Sequence, residues 1–539
     1  MLRYVPYLLS LGLTLFSLSL VATGHHAWGW GLAIFGALLV VGTADLLQKT
    51  STLRRNFPIL AHFRYGLESI GPEMRQYFIE SDTAEVPFSR QQRALVYQRS
   101  KSVTDTRPFG SQQDAYANDY EWINHSIAPT YIESHDFRLL VGPERRKPYP
   151  ASVFNISAMS FGSLSANAIC ALNGGAKRGG FYHDTGEGSI SPYHLEAGGD
   201  LVWEIGSGYF GCRDDDGNFD PERFARNADR PEVKMIEVKL SQGAKPGHGG
   251  MLPGAKVTAE IAATRGVLEG VDCISPAQHA AFETPIGLLE FVAKLRELAG
   301  DRPTGIKLAI GHPWEWFGIA KAMQESGILP DFIVVDGAEG GTGAAPVEFI
   351  EHVGVPMHEG LMLVHNTLVG LGLRSKIRVA AAGKIVSAFD IARTMAMGAD
   401  WCNAARGFMF AVGCIQAQTC HTDHCPTGVA TQDPRRWKHL DVDDKTGRVA
   451  AFHQNTLHAL RDLLCAAGLK GPDELGPEHI LRRVGPAEVR SLEALYAWVE
   501  PGELLEGVPK HALFEHFWRD SRSDSFAPPR KVVAMRGTR

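Results

Sequence analysis

From Ser152 onward, short β-rich runs alternate with helical stretches, and this alternation restricts the fold more than any other feature of the chain. The runs are Val153–Ala158, Lys234–Leu240, Gly305–Ile310, Asp331–Asp336, Ile377–Ala382 and Asp400–Ala404. Helical candidates such as Leu288–Ala299, Trp316–Ser326 and Ala388–Met397 fall between them. Strands that alternate with helices lie parallel and are joined by right-handed crossovers. Roughly 300 residues of this pattern, with no classical Rossmann opening, favour an α/β fold of the (β/α)8 TIM-barrel type over a Rossmann sheet.

The amino terminus has a different character. Tyr4–Ala22 and Ala27–Leu47 are nearly continuous apolar stretches separated by the polar turn Thr23-Gly24-His25-His26. Each is close to the roughly 20 residues that a helix needs to cross a bilayer. Arg3 precedes the first, and Lys49, Arg54 and Arg55 follow the second, so the positive-inside rule predicts a hairpin with both ends in the cytoplasm. A cleaved signal peptide would account for the first stretch but not the second, and export would expose the thiols to an oxidising compartment. The expected location is therefore the cytoplasmic membrane, with the catalytic domain facing inward and the lipid bilayer as a partner. The predicted organisation is a transmembrane hairpin over 1–50, an amino-terminal extension over 51–150, a barrel over 151–470 and a helical extension over 471–539. In that last part Asn455–Ala467 and Pro486–Trp498 read as helices, the first lying just inside the barrel boundary. With 539 residues and a net charge of −6, the chain has no basic field to attract nucleic acid.

Eight cysteines are present, and three of them, Cys414, Cys420 and Cys425, form a C-x5-C-x4-C run closed by Pro426 and Gly428. An odd, tightly spaced trio cannot satisfy itself with disulfides. Such thiolates hold iron–sulfur clusters, and a cysteine followed by proline recurs at cluster edges. Three ligands suit a cubane lacking one iron, or a four-iron cluster with one non-cysteine corner. Zinc bound by the three thiolates with His421 or His424 is the alternative.

Glycine-rich loops follow the late strands. Ala382-Gly383-Lys384 and Ala405-Arg406-Gly407 pair exposed backbone N–H groups with a cation, which suits a phosphate at the rim of a barrel. The run from Asp336 to Gly343, which contains Gly340 and Gly341, would let a planar ligand approach the backbone closely. Together these loops predict a phosphorylated cofactor.

The stretches Asn155-Ile156-Ser157-Ala158-Met159-Ser160-Phe161-Gly162, Thr185-Gly186-Glu187-Gly188, Gln242-Gly243-Ala244-Lys245-Pro246-Gly247, Asp336–Gly343 and Cys414–Pro434 occur in an order that resembles the synthase domain of glutamate synthase. The resemblance spans about residues 150–470 and implies a TIM barrel carrying FMN and a [3Fe-4S] cluster. It also implies reduction of 2-iminoglutarate, formed from 2-oxoglutarate and ammonia, with electrons from an external donor: a ferredoxin, a reductase subunit or the quinone pool. Carried over, Cys414, Cys420 and Cys425 would ligate the cluster. Met159, Ser160, Gln242, Lys307, Gly340, Gly341, Gly383, Lys384, Arg406 and Gly407 would surround the flavin. Glu187, Lys239, Lys245 and Lys307 would be catalytic, with Gln242 also at the substrate side. Lys307 lies within a strand, where a lysine is aimed either at the flavin, stabilising its reduced anion, or at a barrel carboxylate.

Three departures bear on the substrate. Residue 2 is Leu2, so the amino-terminal cysteine of a glutaminase is not there and no glutaminase activity is expected. The substrate loop carries His248 and Met251 where polar groups are expected for 2-oxoglutarate. The hairpin is foreign to soluble members. A dehydrogenase that oxidises an amino or hydroxy acid and passes electrons to a membrane quinone is the second reading, and a non-catalytic redox relay or sensor the third.

Overall fold

Eight parallel strands close on themselves in the computed structural model, which describes residues 2–83, 86–507 and 509–529. In chain order they are β1 (Phe154–Ile156), β2 (His183–Asp184), β3 (Leu201–Ile205), β4 (Val233–Lys239), β5 (Thr304–Leu308), β6 (Phe332–Asp336), β7 (Arg378–Ala382) and β8 (Trp401–Ala404). The ring shuts where Asn403 of β8 lies opposite Asn155 of β1. All six strands read from sequence are present. The two that were not, β2 and β3, carry Asp184 and Glu204 into the barrel, which breaks the apolar run that marks a buried strand.

Helices cover the outside of the barrel. Ala166–Gly179 opens on Ser165, whose side chain accepts from Ala168 N–H, and closes on Gly180 in the left-handed region. The 26-residue helix Val442–Ala467 crosses it. The helices approach closely because Gly174 and Gly175 face Thr446 and Val449; a β-carbon at either would collide with the facing side chain.

The carboxyl-terminal extension departs from the helical expectation. Ile480–Gly485 pairs with Glu488–Ser491 and with Glu121–Ile123, forming a three-stranded antiparallel sheet. Glu121 binds Arg393 at 2.7 Å and Arg482 at 2.6 Å, fixing this sheet to the helix Ala388–Ala396. Pro486–Trp498 is thus a turn, a strand and a four-residue helix, because Glu488–Ser491 pairs as a hairpin with Ile480–Gly485. Residues 91–150 belong with the barrel, and the chain divides into two compact units, 1–90 and 91–539.

The first unit contains α1 (Val5–Ala22) and α2 (Gly29–Leu47), each long and apolar enough to cross a membrane. They lie against one another through Tyr7 Oη and Thr43 Oγ1 at 3.2 Å and an edge-on Phe16–Trp28 contact.

Candidate active site and cysteine pocket

Because all eight strands are parallel, the loops at their carboxyl ends gather at one mouth. The sequence-predicted residues Met159 and Ser160 follow β1, Glu187 follows β2, and Gln242 and Lys245 follow β4. Gly340 and Gly341 follow β6, Gly383 and Lys384 follow β7, and Arg406 and Gly407 follow β8. Lys239 ends β4 and Lys307 lies within β5, directly opposite it in register.

The pleat decides which charges meet inside. Glu237 and Lys239 are two residues apart on β4 and share a face; Glu204 on β3 lies opposite Glu237. Lys307 Nζ contacts Glu204 Oε2 and stands 3.6 Å from Glu237 Oε1. Lys239 Nζ is 4.0 Å from Glu204 Oε1 and 3.2 Å from Glu187 Oε2. The result is a line of alternating charge from the barrel interior to the mouth: Glu237, Lys307, Glu204, Lys239, Glu187. Of the two readings of Lys307, the lysine paired with carboxylates matches these contacts. Burial opposes its charge, but Glu204, Glu237 and Asp184 together hold its pKa well above the ordinary lysine value. Burial and Glu204 push Asp184 up to about 7, and burial and Asp184 push Glu237 well up. Asp184 and Glu237 therefore hold a proton more readily than ordinary carboxylates do.

Glu187, its side chain 16% exposed, is the mouth end of this line. Burial works to raise its pKa, yet Lys239 and Arg265 outweigh it and the net direction is down. Gly206 and Gly250 run past its side chain, where a β-carbon at position 250 would collide with the carboxylate. Ser275 Oγ donates to Glu187 Oε2 at 3.4 Å. Lys245 is buried as well and donates to the Ala344 carbonyl at 3.1 Å, with burial lowering its pKa. Neither Lys239 nor Lys245 is a solvated surface lysine. The loop between them is held by Gly243 N–H donating to Asp336 Oδ2 at 2.9 Å, and Gln242 is partly buried within it. Met251 stands 38% exposed on a two-stranded ribbon, opposite Ile274.

Across the mouth, Lys384 and Arg406 approach the glycine loops. Lys384 adopts the left-handed conformation at φ 50°. Burial lowers its pKa and the nearby Arg406 lowers it further. Burial brings Arg406 down to about 10. Arg406 donates to the Glu339 carbonyl at 2.6 Å, and a β-carbon on Gly341 would sit 3.0 Å from its side chain. Two crowded cations beside bare backbone are a donor set that an anionic phosphate would relieve. Gly340 closes the turn through its N–H to the Gly337 carbonyl at 2.8 Å, and Gly407 is buried in the first turn of Arg406–Ala411.

That helix leads straight to the cysteines. Cys414, Cys420 and Cys425 line one pocket with Met409, Val429 and Ala430. The loop coils through left-handed residues Gln416, Gln418 and Asp423. Burial raises Cys414 to about 12, and burial with the charge of Cys425 raises Cys420. Burial opposes ionisation of Cys425 too, but backbone N–H groups of Ala430, Thr427 and Val429 outweigh it and bring its pKa down. Among the described residues, the one set of three acidic, thiol or imidazole ligand atoms within 4.8 Å of one another is Asp184, Glu204 and Glu237.

Residues that sequence reasoning missed join the two halves. Lys256, fully buried, donates to the carbonyls of Ser163, Cys420 and Ala430 at 3.1, 3.4 and 3.1 Å. Gln432 Nε2 donates to Gly162 and Leu164 carbonyls at 3.0 and 2.8 Å. Arg265 donates to the Phe161 carbonyl at 2.9 Å and to Ser160 Oγ at 3.4 Å. The cysteine loop is thereby fastened to the loop after β1 that carries Met159 and Ser160. Single residues such as these carry no motif.

Residues 132–470 match the family described as "Conserved region in glutamate synthase". The chain belongs to the glutamate synthase family. It is 37% identical over 492 residues to the glutamate synthase large subunit-like protein YerD of Bacillus subtilis, covering 84% of this chain and 93% of that one. It is 34% identical to the archaeal glutamate synthase [NADPH] of Methanocaldococcus jannaschii, covering 70% of each. Among solved structures, flavocytochrome b2 with pyruvate bound aligns at 13% identity with a TM-score of 0.41, covering 85% of this chain and 90% of that one. This glutamate synthase-like chain is an oxidoreductase of the class that acts on CH–NH2 donors.

Proposed function

We propose that this glutamate synthase-like protein is a membrane-anchored enzyme that uses FMN and a [3Fe-4S] cluster. It reduces 2-iminoglutarate, or a closely related imino acid formed from a 2-oxo acid and ammonia, with electrons from an external donor. The observation that carries this reading is the division of the mouth: Lys384, Arg406 and bare glycine on one side, Glu187, Lys239 and Lys245 on the other. The first side fits the phosphate of FMN, and the second fits a dicarboxylate. Bound there, FMN would supply the two-electron chemistry. Lys239 and Lys245 would bind the substrate carboxylates as buried point charges. Glu187, held against Lys239, would move a proton to or from the nitrogen-bearing carbon's substituent.

Neither His421 nor His424 lines the pocket that the three thiols share, so the fourth side chain of a zinc site is not among its lining residues, which supports a cluster over zinc. Lys256 and Gln432 hold that pocket beside the loop after β1, which supports electron passage between cluster and flavin. The two apolar helices with Arg3, Lys49, Arg54 and Arg55 at their ends support an anchor in the cytoplasmic membrane, with His25 and His26 on the far side.

The test is anaerobic purification followed by single-turnover kinetics. The expected result is FMN, iron and acid-labile sulfide in the protein, and reduced flavin that 2-oxoglutarate plus ammonia reoxidises. Flavin that is instead bleached by an amino or hydroxy acid, and reoxidised only by a quinone, would replace this reading with the dehydrogenase.

A further inference from the structure

Beyond α2 the first unit continues through α3 (Leu60–Ser69), Gly71–Met74 and the π-turn Arg75–Ile79. Leu60, Phe63, Leu67, Ile70, Met74 and Tyr77 recur there at spacings of three and four, which places them on one side of a helical path. All six are exposed, Phe63 at 71%, and Phe78 extends the stripe at 78%. Exposed large apolar residues scattered singly need no explanation, but a continuous stripe does.

The origin of this segment is fixed. Asp45, near the end of α2, accepts from Ile59 N–H at 3.0 Å and pairs with His62 Nε2 at 2.9 Å. Ile59 rests against Gly42, where a β-carbon would stand 3.1 Å from it. Gln48 ties the intervening turn by donating to the Ser51 carbonyl at 2.8 Å and accepting from Ser51 N–H at 2.8 Å. The stripe therefore starts at the level where α2 ends, with Lys49, Arg54 and Arg55 between them. Its own charges pair along the segment, Arg64 with Glu68 and Arg75 with Glu80.

We propose that residues 60–79 form an interfacial strap that lies flat at the boundary between headgroups and acyl chains, in the leaflet where α2 ends. The inference rests on the reading of α1 and α2 as membrane-spanning. Continuity with those helices decides the occupant: the stripe is pinned to a helix that ends at the membrane surface, and cations suited to headgroup phosphates lie at the join. Phe63, Tyr77 and Phe78 are the residue types that settle at that depth. A second copy of the chain is the competing occupant, since the spacing also describes a coiled-coil seam. Gly66, Gly71 and Pro72 interrupt that seam within three turns of its start.

The test uses the full chain in its membrane, with the photoreactive p-benzoylphenylalanine placed at Phe63, Leu67 or Phe78, and at Glu68 as the off-stripe control. Irradiation is expected to give phospholipid adducts at the three stripe positions, at least fivefold above the Glu68 position. Adducts to a second copy would overturn the strap in favour of a dimer seam. A chain that resists alkaline extraction but gives no lipid adduct above the control would overturn the strap while leaving the spanning helices intact. Release of the chain by alkaline extraction would overturn the spanning reading and the strap with it. Phe63→Asp with Phe78→Asp gives a second readout: flavin content unchanged, and protease cleavage between residues 60 and 79 at least tenfold faster. Unchanged cleavage of that variant would also count against the strap.

Discussion

Two clusters of ionisable groups lie inside the catalytic unit, and they are built on opposite principles. In the barrel, Asp184, Glu204 and Glu237 surround Lys307, and Lys239 bridges them to Glu187, so each charge has a counter-charge supplied by the chain. In the cysteine loop, burial and mutual repulsion raise two of three thiols, and only Cys425 has enough backbone N–H donors to bring its pKa down. A cluster that neutralises itself keeps its geometry with nothing bound. One whose members repel each other gains by binding a cation centre. The first can orient catalytic groups; the second has the character of a socket.

The sharpest way to break that contrast is Cys420→Ser. If the loop is a socket for a cluster, iron and acid-labile sulfide fall below about a tenth of the wild-type content while flavin stays. Metal analysis with sulfide determination on anaerobic protein measures this. Stoichiometric zinc without sulfide in the wild type would make the loop a zinc site and end the proposed electron route.

Lys307→Met tests the other side. Removing one partner of a buried ion pair costs about 3–5 kcal/mol, because the remaining carboxylates are left uncompensated. Adding Glu204→Gln should recover part of that loss, read from denaturant midpoints of both variants. The pH dependence has a definite sign. Lys307 has a raised pKa when folded, so its stabilisation is fully present below the ordinary lysine value and is lost as pH climbs through the higher native one. Asp184, also raised, favours the folded state below the ordinary aspartate value, and that contribution disappears as pH rises through about 7. The Lys307→Met protein should therefore be more stable at pH 5.5 than at pH 8. A variant as stable as wild type at both would show that the interior charges do not depend on one another.

The contrast between the clusters also explains what was legible beforehand. The cysteine run, Gly383-Lys384 and Arg406-Gly407 are local in sequence, so composition and spacing reveal them. Glu204, Lys256 and Arg265 are single residues whose roles come from partners such as Lys307, Cys420 and Phe161, more than 100 positions away, a distance no window spans. β3 was hidden by the same fact, since Trp203-Glu204 reads as an interruption until the Lys307 side chain is seen against Glu204. Glu488–Ser491 carries no strand signal of its own, because its strand character exists only through pairing with Ile480–Gly485.

A smaller effect is expected at the phosphate side. A charge-assisted hydrogen bond is worth about 1.5–3 kcal/mol, so Arg406→Ala should weaken FMN binding by roughly 10- to 150-fold while leaving iron in place. Fluorescence titration of flavin-depleted protein measures the change. Loss of iron together with flavin would mean that the short helix Arg406–Ala411 transmits damage to Cys414, and that the two sites are one structural unit rather than two.

The smallest effect concerns Met251, and it asks where the self-neutralised region ends. Met251 stands on the ribbon opposite Ile274, beside Gly250, whose backbone passes Glu187. A thioether there offers the substrate no strong hydrogen bond, whereas glutamine offers both a donor and an acceptor. One such contact contributes about 1 kcal/mol, so Met251→Gln should speed reoxidation of reduced flavin by 2-oxoglutarate plus ammonia several-fold. Single-turnover absorbance of the flavin, at subsaturating and saturating 2-oxoglutarate, separates affinity from the reactive step. An effect confined to affinity would place position 251 at the substrate's far carboxylate, beyond the Glu187–Lys239 pair. No effect at either concentration would put the ribbon outside recognition and leave Lys239 and Lys245 as the groups that read the substrate.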